Sequence, residues 1–209
     1  RKVTKVDSYN QLKNDEFYWE IDDYGWAPDS DWICYTTVAE NRNGVVKLFR
    51  LSDGKRVAVT DDFYDNLYPR FDAAGGYLYF ASSRNFDIQM DFYEDNHVVM
   101  TPYQVVAVQL KAGQKPPFLD EPAPETVEGE TGEEPFGIDL DGLSRRMYPL
   151  PVPAGNVFYL KAGNGKIAWF SAERFTDDLY DVIYKPGRRT SMTLHIFDMA
   201  KKEAVELEG

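Results

Sequence analysis

The chain has 209 residues, one to two domains by size, with 23 Lys and Arg against 35 Asp and Glu and a net charge of −12. That acidity argues against nucleic-acid backbones and anionic membrane surfaces as partners, and no apolar run approaches the ~20 residues that span a bilayer as a helix. A single cysteine, Cys34, excludes an intrachain disulfide framework and a cysteine-based zinc site, while aromatic residues at 15% favour strands.

The chain opens at Arg1, with neither a methionine nor a signal-like apolar stretch, and is expected to be a piece of a longer protein. Residues 1–6 read as the outer strand of a preceding unit. Strands are then expected over residues 32–38, 45–51, 76–81, 103–110, 157–160, 166–170 and 192–197, all rich in Val, Ile, Tyr, Phe and Trp. Turn signals separate them: Pro28-Asp29-Ser30, Ser52-Asp53-Gly54, Ala73-Ala74-Gly75-Gly76, Ala112-Gly113 and Gly163-Asn164-Gly165. No stretch keeps a 3.6-residue period, so the fold is expected to be all-β. Residues 120–134 carry seven acidic and no basic side chains, with two prolines and two glycines. Such a segment cannot bury enough surface to offset its ordering entropy, and residues 119–135 are expected to form a mobile acidic loop.

A repeat sets the architecture. Trp26 recurs as Phe71, and Trp32-Ile33-Cys34-Tyr35 recurs as Tyr77-Leu78-Tyr79-Phe80, each at an offset of 45 residues. Tyr18-Trp19-Glu20 recurs as Phe63-Tyr64-Asp65 at the same offset. A period near 45 with four strands per unit indicates β-propeller blades of four antiparallel strands. Both alternating sets of residues 32–35 are bulky, as a strand buried on both faces requires. About three blades are expected, an incomplete ring or part of a larger propeller. Their expected spans are residues 17–60, 61–118 and 136–208, with insertions at 84–100 and 172–189. Such a piece leaves two blade faces uncovered, with Trp26, Ile33 and Tyr35 expected on the first and Ile167, Trp169 and Ile196 on the last. Association into a homodimer would cover them.

Little in the sequence points to bond-making chemistry. The histidines are His97 and His195. Ser191 and Asp198 lie near His195, but Thr193, His195 and Phe197 share one strand face and Asp198 points the other way. A Gly-x-Ser-x-Gly elbow is absent, so His195 reads as a strand residue and His97 as part of a loop. The pairs Asp22-Asp23 and Asp61-Asp62 and the spaced Asp139 and Asp141 match no calcium-loop spacing. Gly163-Asn164-Gly165 is a hairpin turn rather than a nucleotide loop, and Arg145-Arg146 reads as a surface or salt-bridging pair. No catalytic residue, metal ligand or cofactor is expected. Inner propeller strands line the central channel; Asp23 and Gly25 share one such face, matched by Tyr68 and Arg70, so Asp23, Tyr68 and Arg70 are the peptide-channel candidates.

Four stretches resemble a known family. Residues 24–35, YGWAPDSDWICY, resemble the strand-turn-strand of TolB-like propellers. Residues 59–71, VTDDFYDNLYPRF, with 77–86, YLYFASSRNF, resemble the propeller of tricorn proteases, as do residues 103–111 followed by Pro116-Pro117-Phe118. Residues 138–156, IDLDGLSRRMYPLPVPAGN, resemble the segment by which that family re-enters its next blade. The resemblance implies a non-catalytic part of a serine protease that gates or guides peptides or unfolded polypeptide toward catalytic Ser, His and Glu residues in later domains. It also implies the remaining domains of the parent protease as partners and a cytoplasmic setting, with a periplasmic or exported one as the alternative. A stand-alone TolB-like propeller serving as a protein-binding scaffold is the second reading.

Overall fold

A computed structural model describes residues 3–8, 23–90, 97–99, 101–118, 136–172 and 192–208. The described strands build three four-stranded antiparallel sheets and one hairpin. The first sheet runs β1 (Tyr24–Trp26), β2 (Trp32–Val38), β3 (Gly44–Arg50) and β4 (Arg56–Ala58), each paired with the next. Its turns use the expected chemistry. The Asp29 carboxylate accepts from the Asp31 and Trp32 N–H groups at 2.9 and 3.3 Å. Asp53 accepts from the Lys55 N–H at 3.0 Å, and Gly54 takes the left-handed φ of 73° that closes the β3–β4 hairpin.

In the second sheet β5 (Asn66–Phe71) pairs with β6 (Tyr77–Ser82) and β6 with β9 (Gln104–Gln109). The hairpin of β7 (Ile88–Met90) and β8 (His97–Val99) interrupts the connection, within the expected insertion at 84–100. The outer strand is β10 (Met147–Pro149), whose Met147 faces Val108. Residues 136–149 therefore complete the second sheet, and the third begins with β11 (Asn156–Gly163) rather than at residue 136. The composition break at the acidic segment suggested a blade boundary, but the ladder to β9 is formed from beyond it. Arg146 fastens this return, donating to the carbonyls of Gln109 at 3.0 Å, of Asp141 at 2.7 Å and of Asp139. It thus caps backbone oxygens, and among the described residues it bridges to no carboxylate. The third sheet continues with β12 (Lys166–Ala172), β13 (Met192–Asp198) and β14 (Glu203–Glu208). The expected acidic loop and most of the 172–189 insertion lie outside the described residues.

The repeat is visible in the register. Gly25 pairs with Cys34 and Trp26 with Ile33, as Arg70 pairs with Tyr79 and Phe71 with Leu78, 45 residues on. Strands β2 and β6 are buried on both faces, as their double apolar sets require. Trp32 and Cys34 share a core with Val46, Leu48, Leu78, Phe80, Val106 and Val108, between the first and second sheets. Tyr79, Ala81 and Val105 share another with Leu160, Ile167, Trp169 and Phe197, between the second and third. Each such Leu, Val or Phe contributes about 1.5–3 kcal/mol on full burial, so inter-blade packing is the main source of stability.

Two expectations about the ends change. Residues 3–8 form no strand; they lie as a strap on the free face of the first sheet, where Val6 packs against Ile33, Tyr35 and Phe49. The Tyr35 hydroxyl donates to Asp7 at 2.9 Å and Lys47 pairs with it at 3.2 Å. Ile33 and Tyr35 are accordingly covered, while Trp26 remains 52% exposed. At the other end Ile167 and Trp169 face the second sheet, not the free side. Of the three residues expected there only Ile196 stands on the far face, opposite Ala168, because side chains alternate along the strand.

Candidate functional site

The first strands of the three sheets, β1, β5 and β11, run side by side, and the channel candidates lie where β1 meets β5. On β5 the register skips one residue between Leu67 and Arg70. This bulge sets Tyr68 at a φ of 59°, a left-handed conformation that costs a non-glycine residue about 1–2 kcal/mol. It turns the Tyr68 N–H out of the ladder and onto the Asp23 carboxylate. Asp23 also accepts from Arg70 Nη1 at 2.9 Å and from the Thr36 hydroxyl at 3.3 Å. Asp23, Tyr68 and Arg70 thus form one cluster, and Arg70 donates as well to the Pro69 carbonyl at 2.7 Å.

Close approach of the two strands depends on Gly25. A Cβ at that position would stand 3.2 Å from Cys34 Sγ and 3.4 Å from the Pro69 carbonyl oxygen. The Asp23 and Arg70 side chains are only 15% and 17% exposed. Burial raises the Asp23 pKa above its ordinary value, outweighing the Tyr68 N–H, the Arg70 charge and the Thr36 hydroxyl. Burial likewise pushes the Cys34 thiol up to about 12, so this sulfur, which donates weakly to Gly25 O and Pro69 O, is no nucleophile at neutral pH.

A residue that the sequence reading missed completes the surface. Strand β11 carries the same bulge, between Phe158 and Lys161, and Tyr159 adopts a φ of 53°. Its ring lies 6.3 Å from that of Tyr68 at an angle of 34° and is 65% exposed. The 45-residue offset could not reveal it, because the insertions in the second blade break the spacing.

The other residues considered for chemistry fall elsewhere. Asp198 accepts from the Ala200 and Lys201 N–H groups in the β13–β14 turn. His195 stacks on Trp169, ring centroids 5.1 Å apart. Ser191 and the His97 side chain lie outside the described residues. Among the described residues no three His, Cys, Asp or Glu side chains converge on a metal-sized space.

The model of the tricorn protease second β-propeller domain family matches residues 6–209. The chain belongs to that family. This propeller domain is 28% identical over 174 residues to a tricorn protease homologue of Saccharolobus solfataricus, with 81% of this chain and 15% of the homologue covered. A crystal structure of tricorn protease superposes with a TM-score of 0.69 at 19% identity, over 90% of this chain and 18% of that one. A TolB of Agrobacterium tumefaciens gives 0.52 at 14% identity, over 88% and 49%. At those identities the two structures speak for the fold alone. The propeller domain spans less than a fifth of the length of the curated relatives it matches.

Proposed function

We propose that this propeller domain guides extended peptides past β1, β5 and β11 toward a catalytic region elsewhere in a tricorn-type serine protease, by steric and aromatic contact rather than bond cleavage. The observation that supports the reading is the repetition of one strained bulge on two neighbouring first strands, each setting a tyrosine at a positive φ with the two rings 6.3 Å apart. Backbone strain of this kind persists only where the surrounding structure holds it, and such positions cluster at ligand-contacting sites. Tyr68 and Tyr159 offer a passing chain an apolar face with hydroxyl tips, at low entropic cost because each ring has only two rotatable bonds. The Asp23–Arg70 pair behind them is internally neutral, so it neither repels nor traps a peptide of either charge.

Hydrolysis of long and short peptides by the intact protease tests this. An aromatic contact is worth about 1 kcal/mol, so Tyr159→Ala is expected to lower kcat/KM for peptides of ten or more residues about fivefold and to leave tripeptides unchanged. An equal effect on both lengths, or none on either, contradicts guidance by this face.

A further inference from the structure

We propose that Ser171, His195 and Glu206 form a nucleophilic site on the third sheet, able to take small activated carboxylic esters. The three side chains lie on adjacent strands β12, β13 and β14. The register sets His195 opposite Glu206 and Ser171 two pairs along, opposite Thr193, so Ser171 and His195 are diagonal neighbours on one face. Ser171 Oγ is 2.7 Å from His195 Nε2, and His195 Nδ1 is 3.4 Å from Glu206 Oε1.

The Glu206 carboxylate, which only accepts, lies on the Nδ1 side of the ring and favours the tautomer with its proton there. Nε2 is left as the acceptor for the Ser171 hydroxyl, the arrangement that activates a serine. The Trp169 ring lies almost parallel to the imidazole, at 9°, and restricts its rotation. Beside the serine, Gly155 leaves room: among the described residues a Cβ there would meet only the Ser171 Cβ, at 3.8 Å. Attack by Ser171 Oγ forms the acyl–oxygen bond while its proton passes to His195 Nε2. The alcohol departs with that proton, and water then releases the acid and restores the serine.

The Ser171 backbone lies inside the ladder between Val157 and Thr193, so its own N–H is not aimed at an oxyanion. That confines the site to substrates with good leaving groups and leaves peptide bonds out of its reach.

Treating the intact protein with a fluorophosphonate and mapping the adduct by mass spectrometry tests the proposal; the phosphorus–oxygen bond forms as fluoride leaves. A label on Ser171 is expected, absent in Ser171→Ala. It should form at least tenfold more slowly in His195→Ala and recover when imidazole is supplied. Glu206 is 63% exposed, so Glu206→Gln leaves the packing in place. It is expected to slow labelling several-fold at an unchanged half-saturating probe concentration. No label on Ser171 in the folded protein, or a rate unaltered by Glu206→Gln and not restored by imidazole in His195→Ala, overturns it.

Discussion

Removing the Asp23 carboxylate, as in Asp23→Asn, leaves the Arg70 guanidinium without its counter-charge between two packed strands. Breaking a buried pair in this way costs about 3 kcal/mol, the low end of the range because both groups keep some contact with water. The shift in urea midpoint checks it, and a change below about 0.5 kcal/mol would place the pair among ordinary surface contacts. The two structural aspartates also titrate in a defined order. Burial raises the Asp23 pKa. Asp7 is likewise pushed up by burial, but the Ser8 N–H, the Tyr35 hydroxyl and Lys47 outweigh that and bring it below its ordinary value of 3.8. The signs differ accordingly. Asp7 stabilises the fold above pH 3.8, an effect lost as the pH falls through its lower folded value; Asp23 binds its proton more readily in the folded state, and that preference fades as the pH rises through its raised value. Carboxyl carbon shifts followed by NMR should show Asp23 neutralising before Asp7 on acidification, and the reverse order would contradict the assigned environments. At this scale the sequence was partly legible. Asp23, Tyr68 and Arg70 could be found because alternation on one strand and an exact repeat on the next locate a shared face. Tyr159 could not, because a bulge changes which way the following residues face and leaves no mark in composition.

Strand β10, which follows the acidic segment in sequence, completes the second sheet, so that blade is built from chain on both sides of residues 119–135. A protease site introduced between residues 119 and 135 should therefore, once cut, leave both fragments together. The β9–β10 ladder, the Arg146 contacts and the core shared by the second and third sheets all cross the cut. Co-elution in gel filtration is the expected outcome, and separation of the fragments would contradict the pairing. The strands themselves were readable from runs of aromatic and β-branched residues between turn signals. The boundary was not, since seven acidic side chains look the same whether they link two blades or interrupt one.

For the whole molecule, the faces at the two ends behave differently. The strap of residues 3–8 covers the first sheet, while the last shows a row of Phe158, Phe170, Leu194 and Leu207 aligned across four strands. Phe170, Met192, Val205 and Leu207 are 36–59% exposed, an apolar surface of the kind that propeller blades bury against a neighbour. Presented alone, the 209-residue chain is expected to self-associate in sedimentation velocity at micromolar concentration, with Phe170→Asp shifting it toward monomer. A monomer at that concentration would mean that this face is covered from within the chain. The doubly apolar strands made stacked blades legible, but alternation alone could not tell which face of the last blade is free, and Ile167 and Trp169 turned out to point inward.

Guidance of peptides by the inner strands is tested most directly by a photo-crosslinking side chain placed at Tyr159 in the intact protease, with the same group at Lys201 in the β13–β14 turn as the reference. An oligopeptide substrate should be captured at position 159 and not at 201, and excess unlabelled peptide should compete it away. Capture at both positions alike, or at 201 alone, would contradict the assignment of β1, β5 and β11 as the path the substrate follows.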